Sequence, residues 1–139
     1  MATENRTVDL TIDENVPFGM LLQFQDIDDS VYPPTSKPVD LTGFTLKGVI
    51  RENLENNGTV LATFVTSVVD AKQGVASISL TAATTTDLGN KASSTRDRFN
   101  QRLRFLGYYD IIMSRTGGTS PTSFRIIEGA VFISDGVTT

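Results

Sequence analysis

Cysteine, histidine and tryptophan are all absent from the 139 residues. Without cysteine there is no disulfide and no thiolate to act as nucleophile or ligand. Without histidine, the commonest general base and the commonest metal ligand are missing together. The usual nucleophile–base pairs therefore cannot be assembled. The one Gly-Gly stretch, Thr116-Gly117-Gly118-Thr119, lacks both the lysine and the strand-to-helix setting of a phosphate loop. Carboxylate pairs remain available for acid/base work, but the acids fall mostly in turn-like stretches where water solvates them. The sequence thus offers no catalytic residue and no cofactor site, and the reading is non-enzymatic. Long apolar runs are missing too: none approaches the roughly 20 residues needed to span a bilayer. Met1-Ala2-Thr3-Glu4-Asn5 lacks the basic-then-apolar pattern of a leader. The expectation is a soluble protein with no membrane partner.

What is present points to strands. Threonine occurs 19 times, and this residue, stiff at χ1, suits a pleated surface better than a helix. Val8, Leu10 and Ile12 alternate with polar residues, as do Phe18, Met20, Leu22 and Phe24. In Asp40-Leu41-Thr42-Gly43, side-chain oxygens can bond nearby N–H groups and Gly43 can take a positive φ. The strand that follows places Phe44, Leu46, Gly48 and Ile50 on one face and Thr45, Lys47, Val49 and Arg51 on the other. Further strands are expected over 59–66, 75–80, 108–115 and 123–134, the last with a possible bulge at Glu128-Gly129. Turns are expected at Asn57-Gly58, Asp70–Gly74 and Thr116–Pro121, and a long loop over Asp26–Asp40, where Pro33-Pro34 opposes a regular ladder. Thr81 can cap a short helical turn reaching Leu88. Of Tyr108 and Tyr109, on opposite faces of one strand, one should be core and the other exposed. The fold class is all-β: an antiparallel β-sandwich of about seven or more short strands with at most one short helix, and a closed small barrel as the competitor. One domain spans 1–139, with a basic insertion or arm at about 89–106.

The net charge of −4 is unevenly spread. Residues 1–40 hold eight acids against Arg6 and Lys37, whereas 91–104 hold five bases against Asp97. Such a dipolar chain can attract other copies of itself, or the two regions can meet within one fold or face water. Lys91, Arg96, Arg98, Phe99, Arg102, Arg104 and Phe105 form the candidate partner interface, because arginine and aromatic residues anchor protein contacts. Phe99, Leu103 and Leu106 also sit at helical spacing, so a helix, an extended arm and a core segment all stay open there. The same mixture could touch nucleic acid, but the acidic chain as a whole argues against it. Asp26, Asp28 and Asp29 form a weak candidate loop for Ca²⁺ that lacks the glycine and closing glutamate of an EF-hand. No metal site is assigned.

Four blocks in order carry a family resemblance. They are Pro17–Asp26, Asp40–Arg51, Gly74–Leu80 with Thr81–Leu88 behind it, and the pair Gly107–Met113 and Arg125–Ile133. Together they resemble the small Asp-Leu-Thr-Gly-containing β-domains of tailed-bacteriophage virion proteins, over roughly residues 7 to 137. Such domains have only a few residues where this chain has Gly89 to Leu106. The resemblance implies a virion structural protein without catalysis: a tail or baseplate accessory module that docks on a larger assembly and joins it to a fibre or neighbouring subunit. The partners it implies are other phage virion proteins, in multiple copies and with a homo-oligomer open. Alternatives are a capsid decoration or neck cement protein, and a carbohydrate-binding host-attachment module. For the last, Tyr32, Tyr108 and Tyr109 are meagre equipment.

Overall fold

A computed structural model describes residues 7–55, 58–115 and 122–138. The N-terminal stretch Met1–Asn5, Asn57 of the expected turn and the expected turn Thr116–Pro121 lie outside the described residues. Alternation of apolar and polar side chains writes most of the elements. These are β1 Leu10–Asp13, β2 Phe18–Gln23, β3 Gln25–Asp28, β4 Thr35–Pro38, β5 Phe44–Arg51, β6 Val60–Thr63, β7 Val65–Asp70 and β8 Val75–Leu80. One helix, α1 Ala82–Lys91, follows, and then two long strands, β9 Leu103–Arg115 and β10 Thr122–Ser134. The architecture is a β-sandwich, as the sequence led us to expect.

A five-stranded sheet in the order β1-β10-β9-β5-β6 faces a three-stranded sheet, β2-β8-β7, and β3 and β4 form a separate hairpin. Pairing is antiparallel except between β1 and β10, which run parallel. The inward residues of the two sheets make the core: Ile12, Ile50, Ile111, Met113, Val131 and Ile133 from the large sheet, and Ala76 and Ile78 from the small one, are fully buried. Each such aliphatic side chain beyond alanine contributes about 1.5–3 kcal/mol by leaving water. Phe64 bridges the layers, its ring 6.2 Å from Phe18 and 6.1 Å from Tyr109.

The expected turn at Asp40 forms. The Asp40 carboxylate accepts the Thr42 N–H at 2.9 Å and its hydroxyl at 2.6 Å, and Gly43 takes φ +84°. These bonds hold the Asp40 carboxyl below its usual range. Thr81 caps α1 by accepting from the Thr84 N–H at 3.2 Å, and the helix runs on past Leu88 to Lys91. Tyr109 is the buried tyrosine; its hydroxyl donates to the Val8 carbonyl at 2.5 Å. Tyr108 is half-buried on the opposite face.

Three expectations need correction. The stretch Asp26–Asp40 is not wholly loop: β3 and β4 pair from Gln25↔Pro38 to Asp28↔Thr35, because Pro33-Pro34 falls in the connection and leaves the ladder intact. Residues 59–66 are not one strand. The chain breaks at Phe64, whose N–H bonds the Gly48 carbonyl at 2.9 Å, and passes from one sheet to the other there. The bulges between β9 and β10 lie not at Glu128-Gly129 but at Ile126 in β10 and Leu106 in β9, where the extra residue is buried. Gly129 is small for another reason: a Cβ there would lie 2.2 Å from the Val8 carbonyl oxygen, so the approach of the N-terminal segment requires its absence.

Candidate functional site

The basic stretch is divided among three elements: the end of α1, a connection over 92–102 and the start of β9. The base of that connection is fastened to the opposite end of the chain. Asp135, just past β10, accepts hydrogen bonds from Arg96 and from Arg104, the latter through Nε at 3.0 Å and Nη2 at 2.7 Å. Arg102 donates to the Asp135 carbonyl at 3.0 Å, and the Asp135 N–H returns a bond to the Arg102 carbonyl at 2.9 Å. Bonds from Arg96 and Arg104 hold the Asp135 carboxyl below the usual carboxylate range. Arg104, with 12% of its side chain exposed, also donates to the Gly89 carbonyl at 2.7 Å. It thereby satisfies an orphan acceptor in the last turn of α1 and places a cation at the helix's negative end. Glu14 adds a second carboxylate 3.8 Å away.

Beyond the base the connection closes into a tight tip. Asp97 N–H bonds the Leu103 carbonyl at 2.8 Å, and Leu103 N–H bonds the Asn100 carbonyl at 3.0 Å. The Asp97 carboxylate accepts from the N–H groups of Phe99 and Asn100 at 2.8 and 2.9 Å, and the Asn100 side chain accepts from Arg102 N–H at 3.1 Å. Those short polar side chains impose the turn locally. The tip presents Arg98 and Phe99. Phe99 is 89% exposed, and the Arg98 guanidinium lies 5.5 Å from its ring centroid. Among the described residues, Arg98 is the base of this stretch without an ion pair or hydrogen bond of its own; Lys91 pairs with Asp87 at 2.8 Å. Phe105 belongs elsewhere, on the outer face of the large sheet, with edge contacts to Tyr108 at 5.4 Å and Phe132 at 5.8 Å.

That outer face also holds a groove of about 610 Å³. Its floor is Val49, Arg51, Tyr108, Asp110, Glu128 and Ala130, brought side by side by the register of β5, β9 and β10. The loop Asn53-Leu54-Glu55 makes one wall and Thr7 with Asp9 the other. Arg125 donates to Asp110 at 3.0 Å and stands 3.8 Å from Glu128. Asp9 accepts the Ala130 N–H at 2.9 Å, and Arg51 donates to the Gly58 carbonyl at 2.7 Å. Two of its carboxylates are thus engaged, Asp110 by an arginine and Asp9 by a backbone N–H.

Sequence reasoning singled out the basic stretch but missed its fastening point, since nothing local distinguishes Asp135 from any other acid after a strand. It missed the groove as well, because strand register alone assembles it. The acids of residues 1–40 meet the basic stretch only through Glu14 among the described residues. Asp26 and Asp28 lie on the exposed strand β3, and Asp29 follows it. Asp28 accepts from the Ser30 N–H at 3.0 Å and from its hydroxyl, which holds the carboxyl below its usual value. Among the described residues no three metal-ligating side chains gather. No helix among them is long and apolar enough to cross a membrane.

A family model described as an LtfC-like β-sandwich domain matches residues 4–134. A search of curated proteins finds no match.

Proposed function

The chain belongs to the LtfC-like β-sandwich domain family, and from that premise we propose that it is a non-enzymatic accessory module of a phage tail. LtfC is a phage tail fibre-associated protein. In the proposed role the domain docks on a larger tail or baseplate assembly and joins it to a fibre or a neighbouring subunit, through the basic connection between α1 and β9. Its location is then the virion and its partners are other virion proteins, with no part for nucleic acid. The Asp40–Gly43 turn would mark kinship with the Asp-Leu-Thr-Gly modules of other virion proteins.

The observation that carries this reading is the tip. Phe99, 89% exposed, is presented to solvent on a turn pinned by Asp97 and Asn100. Pre-organisation of that kind lowers the entropy lost on docking, and Arg beside an aromatic ring is the composition of interface hot spots. Many copies on one particle multiply a modest contact. Reconstruction of the phage particle tests the proposal. Density for this domain at the tail, baseplate or fibre root, with Phe99 against another chain, is the expected result. Density on the shell or neck would move the protein to the cement class and overturn the tail reading.

A further inference from the structure

The tip and the groove have complementary chemistry, and we infer that the tip of one copy inserts into the groove of a second copy. The inference rests on the docking role proposed for the basic connection and names the neighbour: another molecule of this chain. Four carboxylates, Asp9, Glu55, Asp110 and Glu128, line the groove against two guanidiniums, Arg51 and Arg125, which leaves it acidic. Tyr108 gives its floor an aromatic surface, and Leu54, 78% exposed on the rim, adds an apolar one. The tip offers one cation without an ion partner and one exposed ring, side by side. At about 610 Å³ the groove falls in the range of roughly 300–1,000 Å³ that holds a drug-sized ligand, and an Arg-Phe pair is of that size. Seated there, Phe99 would lie edge-on or offset against Tyr108, and Arg98 would face the carboxylates.

The tip cannot fill its own groove. Arg96, Arg102 and Arg104 fasten its base to Asp135, beyond the end of β10. Tyr108 lies five residues along β9 from Leu103, roughly 16 Å at the rise of a strand. An Arg98-Phe99 tip seated in the groove therefore belongs to another molecule. A contact between two different patches of the same chain can pair two copies reciprocally or run on from copy to copy.

The test uses the purified full chain and its mass in solution by sedimentation over rising concentration. Wild type should self-associate. A tip variant, Arg98→Glu with Phe99→Ala, and a groove-rim variant, Leu54→Lys with Glu55→Lys, should each weaken association by roughly tenfold or more, as loss of an interface anchor does. All four positions are exposed, so both variants should melt as wild type does. Mixed together, the two variants should recover a heterodimer, because one partner keeps an intact tip and the other an intact groove. A wild-type monomer up to about 1 mM, where even weak interfaces show, would overturn the inference. So would a tip variant that associates like wild type, or a mixture that recovers nothing. A monomer in solution would leave the tail reading standing, since that depends on where the domain sits in the particle.

Discussion

The base and the tip of the connection between α1 and β9 have nearly the same composition and opposite physical roles. At the base, Arg96 and Arg104 converge on one carboxylate, Asp135, whose side chain is only 19% exposed, and Arg102 bonds its backbone. At the tip, Arg98 lies over an exposed ring. The base spends its charge inside the molecule, joining the end of α1 to the ends of β9 and β10. The tip keeps its charge and its ring on the surface. A run of arginines is therefore not one feature: partly shielded bonds to a shared acid decide which members are structural, and the member left over is the one able to meet a partner.

The largest effect is expected of Asp135→Ala, at the base. It leaves two guanidiniums, one of them largely buried, without their acceptor, and should lower the unfolding free energy by on the order of 2–3 kcal/mol in urea titration. A change below about 0.5 kcal/mol would make the base an ordinary solvated surface. Acid should act on the same bond. Because the Asp135 carboxyl is lowered in the folded protein, its contribution is present above the ordinary value of 3.8 and is lost as pH falls through the folded value. Asp135→Asn should flatten that part of the acid-unfolding curve, and an unchanged curve would assign the acid sensitivity to other groups.

Tyr109→Phe sets the scale for a single neutral bond. Loss of the contact with the Val8 carbonyl should cost about 1 kcal/mol, less than the base and more than the tip. Burial, with a smaller contribution from Asp9, pushes the Tyr109 hydroxyl up to about 12. Stability tied to that raised value is complete below pH 10 and falls as pH rises toward 12, so the phenylalanine variant should lose less over that interval. Equal alkaline loss in both proteins would remove Tyr109 from the account. The smallest effect on stability belongs to the tip. Arg98→Glu with Phe99→Ala should stay within about 0.5 kcal/mol of wild type in the same titration, while docking is weakened. Unfolding of that variant would show that the tip is part of the core and erase the distinction from the base.

Period-two alternation made β5, β2 and β8 legible, because a half-buried strand must place apolar residues on one face. The Asp40–Gly43 turn and the Thr81 cap were legible for the same local reason: a short polar side chain bonds a backbone group two or three residues away. The break at Phe64 was not, since Val60 to Thr66 reads as continuous strand and the switch depends on a bond to Gly48 in another strand. The β3–β4 hairpin was hidden by its prolines: Pro33-Pro34 fall in the connection, and Pro38 is accommodated at the end of the ladder opposite Gln25.

Local sequence was enough to specify an all-β protein with at most one short helix and a cluster of arginines ahead of its two last strands. Those properties follow from side-chain periodicity, turn chemistry and composition, all of which act over a few residues. The two separate sheets, not the sequence, settled sandwich over barrel. The tertiary structure decided which arginines are fastened and which is free, and it built the acidic groove from β5, β9, β10 and two loops. Both outcomes depend on contacts spanning tens of residues or more, such as Arg104 with Asp135 or Asp9 with Ala130, and on a strand register that only the packed sheet sets.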